Sequence, residues 1–208
     1  MSERQKHWVQ IFSKRLFDDS LGWYERHSTQ TLNYLDRLDL AIPSTIFVSG
    51  AGTSMLPGDL LVRGHKLIIN DVSEQAVQTL RKRIGPNGRA TWLSSDLALP
   101  LPESLMPIDL WIDRAVLHFL LSEQDIQQYF NTVQSAVRSG GYVLLAQFST
   151  EAVDRCAGLG VHRYSLEEMG DRLGGKFRLI EDEIHNYTAP GGASRPYLYA
   201  LYQKRNRD

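Results

Sequence analysis

Four places along the chain combine residue types at spacings suited to chemistry. The first is Ser49-Gly50-Ala51-Gly52-Thr53-Ser54, directly after an apolar run. Glycines at a strand end let the backbone approach a ligand closely, and the helix that follows offers its first N–H groups; a plain tight turn would use the same residues. The second is Asp71, closing Leu67-Ile68-Ile69-Asn70-Asp71. It lies roughly twenty residues beyond the glycines, the separation expected of an acid that accepts both hydroxyls of a ribose. Its plainer alternative is a helix N-terminal acid favoured by the dipole. The third is Asp96, in Ser94-Ser95-Asp96-Leu97. An acid there can accept from the exocyclic amino group of a base, or stand solvated in a loop. The fourth is Asp113-Arg114, opening Asp113-Arg114-Ala115-Val116-Leu117-His118-Phe119. Two adjacent opposite charges at a strand end need partners if partly buried, from a ligand or from a structural ion pair. Asp113, His118 and His162 are the candidate bases, although His118 sits in an apolar stretch that also suits a packed core histidine. Cys156, the sole cysteine, cannot form an intramolecular disulfide or a thiolate metal site by itself, and an inert buried thiol is its expected identity. No metal-binding constellation is visible.

These residues need a scaffold that brings strand ends together. The strand candidates are Thr45 to Val48, Lys66 to Ile69, Ala90 to Leu93, Ile108 to Ile112 and Tyr142 to Ala146. Helical patterns lie between them, among them Ser73 to Lys82 and Glu123 to Val137, the latter closed by a glycine stop at Ser139-Gly140-Gly141. Near-continuous apolar strands alternating with helices imply a parallel sheet covered on both faces. Phe177 to Glu181 and Tyr197 to Tyr202 are separated by a glycine-rich loop without a helix, which predicts an antiparallel pair. In the first forty residues Ile11, Leu16, Leu21, Leu32, Leu35 and Leu38 suggest a helical stripe. The expectation is a doubly wound α/β domain spanning 1–208, with a helical cap over 1–43 and an α/β core over 44–208.

Composition narrows the function classes. The 208 residues are 42% apolar, with 23 basic against 24 acidic side chains and a net charge of -1. That balance gives no electrostatic footprint for nucleic acid or an anionic membrane. No segment approaches the roughly 20 apolar residues of a membrane span. The polar start, MSERQKHWVQ, lacks the apolar core of a signal peptide, so a reducing cytoplasm is the expected compartment. Oligomeric state is not readable.

The order of the four places resembles the class I S-adenosylmethionine-dependent methyltransferases, whose Rossmann-like, mostly parallel seven-stranded sheet ends in an antiparallel strand. Within that class, Ile112 to Phe119 is similar to small bacterial methyltransferases of the thiopurine and tellurite-resistance group. Cys156-Ala157-Gly158-Leu159, Arg163 to Glu168 and Thr188-Ala189-Pro190-Gly191-Gly192 add to the likeness, which runs from about Thr45 to the C-terminus. The resemblance implies S-adenosylmethionine as cofactor, with Ser49, Gly50, Ala51, Gly52 and Thr53 at its methionine end and ribose. It implies Asp71 on the ribose hydroxyls, Val72 against the adenine, Asp96 and Leu97 flanking the base, and Asp113 beside the cofactor. Arg114 falls near the transferred methyl, making Asp113 and Arg114 the expected catalytic pair. Arg114, His118 and Tyr24 are the expected acceptor contacts. Trp8, Trp23 and Tyr24 are candidates to lie over the cofactor, Trp23 foremost. The chain departs from the pattern at Val48, where an acid is usual two positions before the first glycine, and at Ser54, in place of a third glycine.

Methyl transfer from a sulfonium is an in-line displacement, so positioning can supply much of the catalysis. A thiol, selenol or related soft nucleophile needs little base, whereas a hydroxyl or amine needs one. A small-molecule acceptor is therefore the first expectation. A protein lysine methyltransferase is the alternative, but the Asn/Asp-Pro-Pro-Tyr-like motif of such enzymes is replaced here by Asp113-Arg114-Ala115-Val116. A non-catalytic cofactor-binding module is a further alternative, prompted by Val48. An NAD-dependent oxidoreductase is disfavoured, because Met55 stands where a strict G-x-G-x-x-G needs its third glycine and no Tyr-x-x-x-Lys appears.

Overall fold

The computed structural model describes residues 3–14 and 21–206. The main sheet has seven strands: β1 (Thr45–Ser49), β2 (Lys66–Asp71), β3 (Ala90–Ser94), β4 (Ile108–Arg114), β5 (Val137–Phe148), β6 (Phe177–Thr188) and β7 (Ser194–Lys204). Their spatial order is β3-β2-β1-β4-β5-β7-β6. Strands β1 to β5 pair in parallel, and β7 runs antiparallel to both of its neighbours. The expected doubly wound α/β sheet with an antiparallel end is present. Among the described residues the α-helices are α1 (Glu3–Lys14), α2 (Thr29–Leu35), α3 (Leu56–Val62), α4 (Glu74–Ile84), α5 (Glu123–Ala136) and α6 (Leu166–Leu173).

The central strands are apolar on both faces because both are covered. On one face Ile46, Val48, Ile69, Ile112 and Leu144 pack against α2, α3 and α4. On the other, Phe47, Trp111, Val143 and Leu145 pack against α5 and α6, with Phe47 stacked on Trp111 at 4.0 Å between ring centroids. Serine side chains start the helices as N-caps: Ser73 accepts from the Ala76 amide, Ser122 from Asp125 and Ser165 from Glu168.

The N-terminal region is helical as expected, in α1 and α2, with Leu21 to Ser28 irregular ahead of α2; Leu16 lies outside the described residues. One sequence expectation needs correction. Helix α5 does not end on a glycine stop. It ends at Ala136, and Val137 is already extended; the Lys204 ammonium donates to the carbonyls of Gln134 (2.6 Å) and Val137 (2.7 Å), doing the work of a C-cap. Ser139-Gly140-Gly141 lies inside β5 instead. A Cβ on Gly141 would stand 2.9 Å from the Asp109 carbonyl oxygen, so close strand approach accounts for that glycine.

The strands also run past their apolar runs. Ser49 pairs with Asp113, Asp71 with Ser94, and Arg114 with Ala146. Ser49, Asp71, Asp113 and Arg114 are therefore the last rungs of the sheet, held by backbone pairing, whereas Asp96 lies just beyond β3.

Candidate active site

The carboxyl ends of β3, β2, β1 and β4 open into one cavity, the place where sheets of this kind bind ligands. Helix α1 and the Leu21 to Ser28 segment line its other side. The turn after β1 depends on its glycines. Gly50 and Gly52 both have φ +52°, and a Cβ on Gly50 would lie 2.1 Å from Val116 Cγ2. The Ala51 amide donates to the Asn70 carbonyl (2.8 Å), tying the turn to β2. Thr53 is buried and its carbonyl accepts from Arg83 at 2.6 Å. Ser49, also at the cavity, donates its hydroxyl to the Ile112 carbonyl (3.0 Å). Val48 is a buried, apolar part of the lining.

Asp71 faces the same cavity, followed by Val72. Its Oδ2 accepts from the Gly52 amide and its Oδ1 from the Ser73 amide, each at 2.8 Å. Burial pushes its pKa up to about 6, against the downward pull of those two N–H groups. A carboxylate offers roughly four lone-pair directions, so two further donors can be accepted. Asp96 and Leu97 line the cavity at the end of β3. Arg4 of α1 grips Asp96 with one Nη2 nitrogen, 2.8 and 3.0 Å from the two carboxylate oxygens, and reaches Asp125 with Nη1 at 3.3 Å.

At the end of β4 the two neighbouring charges part company. Asp113 is fully buried and absent from the cavity lining. Its Oδ1 accepts from the amides of Val116 and Leu117 (both 3.2 Å) and from Gln147 Nε2 (2.7 Å), and its Oδ2 from the Tyr129 hydroxyl (2.8 Å). Burial raises its pKa and those donors oppose the rise. This corrects the expectation that Asp113 touches cofactor or reacting atoms: it organises the 113–117 turn. His118 is corrected likewise. It is fully buried among Phe119, Phe148 and Tyr197, outside the cavity lining. Burial, with Arg114 and Arg195 nearby, lowers its pKa to about 3, so it stays neutral. His162 contacts Glu168 at 2.9 Å and also lies outside the lining.

Arg114 does reach the cavity. Its guanidinium lies over the rings of Tyr187 and Tyr197, 5.0 and 4.9 Å from their centroids. Nε donates to the Tyr199 hydroxyl (3.3 Å), Nη1 to the Trp23 carbonyl (3.2 Å), and Nη2 pairs with Glu25 Oε1 at 2.8 Å. The next residue, Ala115, has φ +64°, an uncommon conformation for a side-chain-bearing residue, at the point where the chain turns away from the cavity floor.

Trp8, Trp23 and Tyr24 all line the cavity, with Trp8 edge-on to Trp23 at 5.4 Å. The Tyr24 carbonyl accepts from the Tyr187 hydroxyl at 2.5 Å. Sequence reasoning missed Arg4, Phe12 and Glu25, which lie in the first twenty-five residues without a motif to mark them. Cys156 is buried, as expected, yet also contributes to the lining. Among the described residues, no group of three His, Cys, Asp or Glu side chains could hold a metal ion, and no helix is long and apolar enough to cross a membrane.

Residues 48–145, the segment carrying all four strand-end features, match the methyltransferase domain family. No curated protein matches the chain in sequence. Among solved structures, a S-adenosylmethionine-dependent methyltransferase from Anabaena variabilis is 14% identical with a TM-score of 0.80, the match covering 99% of this chain and 96% of that one. The 1,6-didemethyltoxoflavin-N1-methyltransferase of Burkholderia thailandensis, bound to 1,6-didemethyltoxoflavin and S-adenosylhomocysteine, is 17% identical (TM-score 0.75; 98% and 90% covered). The N-methyltransferase NodS of Bradyrhizobium japonicum, bound to S-adenosylhomocysteine, is 14% identical (TM-score 0.72; 97% and 99% covered). At these identities the likeness to solved structures is one of fold. Domain match and fold together are those of a S-adenosylmethionine-dependent methyltransferase, with S-adenosylmethionine as its cofactor.

Proposed function

We propose that this methyltransferase moves the methyl group of S-adenosylmethionine onto a small molecule, with thiols, selenols and related soft nucleophiles as the first class to test. When bound, the cofactor supplies an activated methyl on a sulfonium. The observation that carries the reading is the placement of Asp71 beside the Gly50–Gly52 turn in one cavity, with acceptor capacity left on its carboxylate. Asp71 takes the ribose hydroxyls. Gly50, Ala51 and Gly52 bring their backbone close to the ligand, with Ser49 and Thr53 flanking them. Val72 and Leu97 supply apolar contact to the base, and Asp96 faces its edge.

Arg114 is the residue assigned to the acceptor. Its cation is fixed by Tyr187, Tyr197, Tyr199, Glu25 and the Trp23 carbonyl, so it can orient a nucleophile without reorganising. Asp113 serves as a positioning residue through the turn that follows Arg114. Trp8, Trp23 and Tyr24 exclude water from the site, which favours displacement over side reactions. A cavity lined by α1 on one side suits a small acceptor better than a protein side chain. Membership of the thiopurine and tellurite-resistance group, and a single domain with its cap at 1–43, are parts of the same proposal.

Isothermal titration of the cofactor-stripped protein with S-adenosylmethionine and S-adenosylhomocysteine, with NADH as control, tests this reading. Micromolar binding of the first two and none of NADH is expected. Turnover is then screened with thiols and selenols before amines and alcohols. Absence of binding would leave a methyltransferase-shaped module without its cofactor.

A further inference from the structure

Successive strands of a sheet stand about 4.8 Å apart, so the ends of β3, β2, β1 and β4 set out a row of stations: Asp96, Asp71, the glycine turn and Arg114. Granting the proposed role of Asp71, on which this inference rests, a nucleoside held at β3 and β2 sends its 5′ substituent over the β1 turn towards β4. That substituent ends in an amino acid, and its ammonium has to exchange water for a counter-charge. Only three carboxylates line the cavity among the described residues: Glu25, Asp71 and Asp96. Asp96 is gripped by Arg4 at β3, and Asp71 belongs to the β2 station. At the end of β1 itself Val48 offers no charge.

Glu25 is placed at the β4 station. Both it and Arg114 have side chains only 12% exposed, and they meet at 2.8 Å. Oε1 is the one carboxylate oxygen of Glu25 with a partner among the described residues, so Oε2 retains its acceptor capacity. The cation opposite is clamped by two tyrosine rings, a tyrosine hydroxyl and a backbone carbonyl, which fixes where the carboxylate stands. Burial raises the Glu25 pKa while Arg114 opposes the rise, so a second cation beside it further favours the ionised form.

We infer that Glu25 is the carboxylate that receives the ammonium group of the bound cofactor, from the irregular segment after α1 rather than from β1. Calorimetry on the full chain tests this with three probes: S-adenosylhomocysteine, its deaminated analogue (which keeps the carboxylate) and 5′-methylthioadenosine, which lacks the whole amino-acid group. The wild-type protein should bind S-adenosylhomocysteine about tenfold more tightly than the deaminated analogue, the size expected of one charge-assisted contact. In Glu25→Gln that gap should close to about twofold or less, while 5′-methylthioadenosine binds as in wild type. A gap that persists in Glu25→Gln overturns the assignment. So does a wild-type protein that binds S-adenosylhomocysteine and its deaminated analogue equally, a result that does not depend on the variant folding. Wild type binding none of the three probes would overturn the ribose reading of Asp71, and this inference with it.

Discussion

Asp71 and Asp113 end neighbouring regions of the same sheet, both are almost entirely removed from solvent, and burial raises the pKa of both. They nevertheless face different worlds. Asp71 accepts two backbone amides and turns its remaining capacity to the cavity. Asp113 is saturated by two amides, a glutamine and a tyrosine, and lies on the side of the sheet packed by α5. Arg114, one residue on, emerges on the cavity side because successive strand residues point to opposite faces. Residue type and strand-end position do not separate a ligand-facing acid from a structural one; register and the supply of internal donors do.

Substituting each acid by alanine should break the comparison in opposite directions. Asp71→Ala should weaken S-adenosylhomocysteine binding about a hundredfold, the loss of two charge-assisted contacts, with a smaller effect on unfolding. Asp113→Ala strands Tyr129, Gln147 and two amides, and should cost about 2–4 kcal/mol in denaturant unfolding, with the affinity of the folded fraction within about twofold of wild type. Binding calorimetry and urea titration read the two effects separately; equal behaviour of the two variants would abolish the distinction.

The pH dependence sharpens the same contrast. Ribose hydroxyls donate, so binding requires ionised Asp71, whose pKa in the free protein is raised to about 6. Affinity should therefore be constant well above pH 6 and fall as pH drops through it, approaching tenfold per unit. Protons should be released on binding near pH 6, visible as a buffer-dependent heat. Asp71→Asn should flatten the profile. The smallest effect is expected of Cys156→Ser: the thiol lines the cavity, but its polar contacts are internal, with Arg195 at 3.4 Å and the Ala157 backbone, and S-adenosylhomocysteine affinity should change by no more than about twofold.

The sheet was legible because buried parallel strands must be apolar on both faces, and the runs at Thr45, Lys66, Ala90, Ile108 and Tyr142 fall within β1 to β5. Their ends were less so. Ser49 and Asp113-Arg114 read as following their apolar runs, although pairing carries them into the sheet. Gly140-Gly141 has the chemistry of a helix stop, but a lysine sixty-odd residues later satisfies the last carbonyls of α5, and no local pattern encodes so distant a donor. The glycine turn, Asp71, Asp96 and Arg114 were readable because each closes an apolar run. Arg4, Phe12 and Glu25 were not, since their importance comes from where the irregular N-terminal segment lies against the sheet. His118 shows the converse: it sits in the right motif, but its apolar neighbours draw it into the core.

The aromatic lining gives the molecule an optical consequence. Of its four tryptophans, Trp8 and Trp23 border the cavity, whereas Trp111 is sealed in the core and Trp92, a residue of β3, packs on the core outside the lining. Two indoles thus stand where a ligand arrives, and two emit from surroundings it does not touch. Intrinsic fluorescence carries both signal and reference, so occupancy can be followed in an unlabelled sample, in real time, at concentrations far below those calorimetry demands.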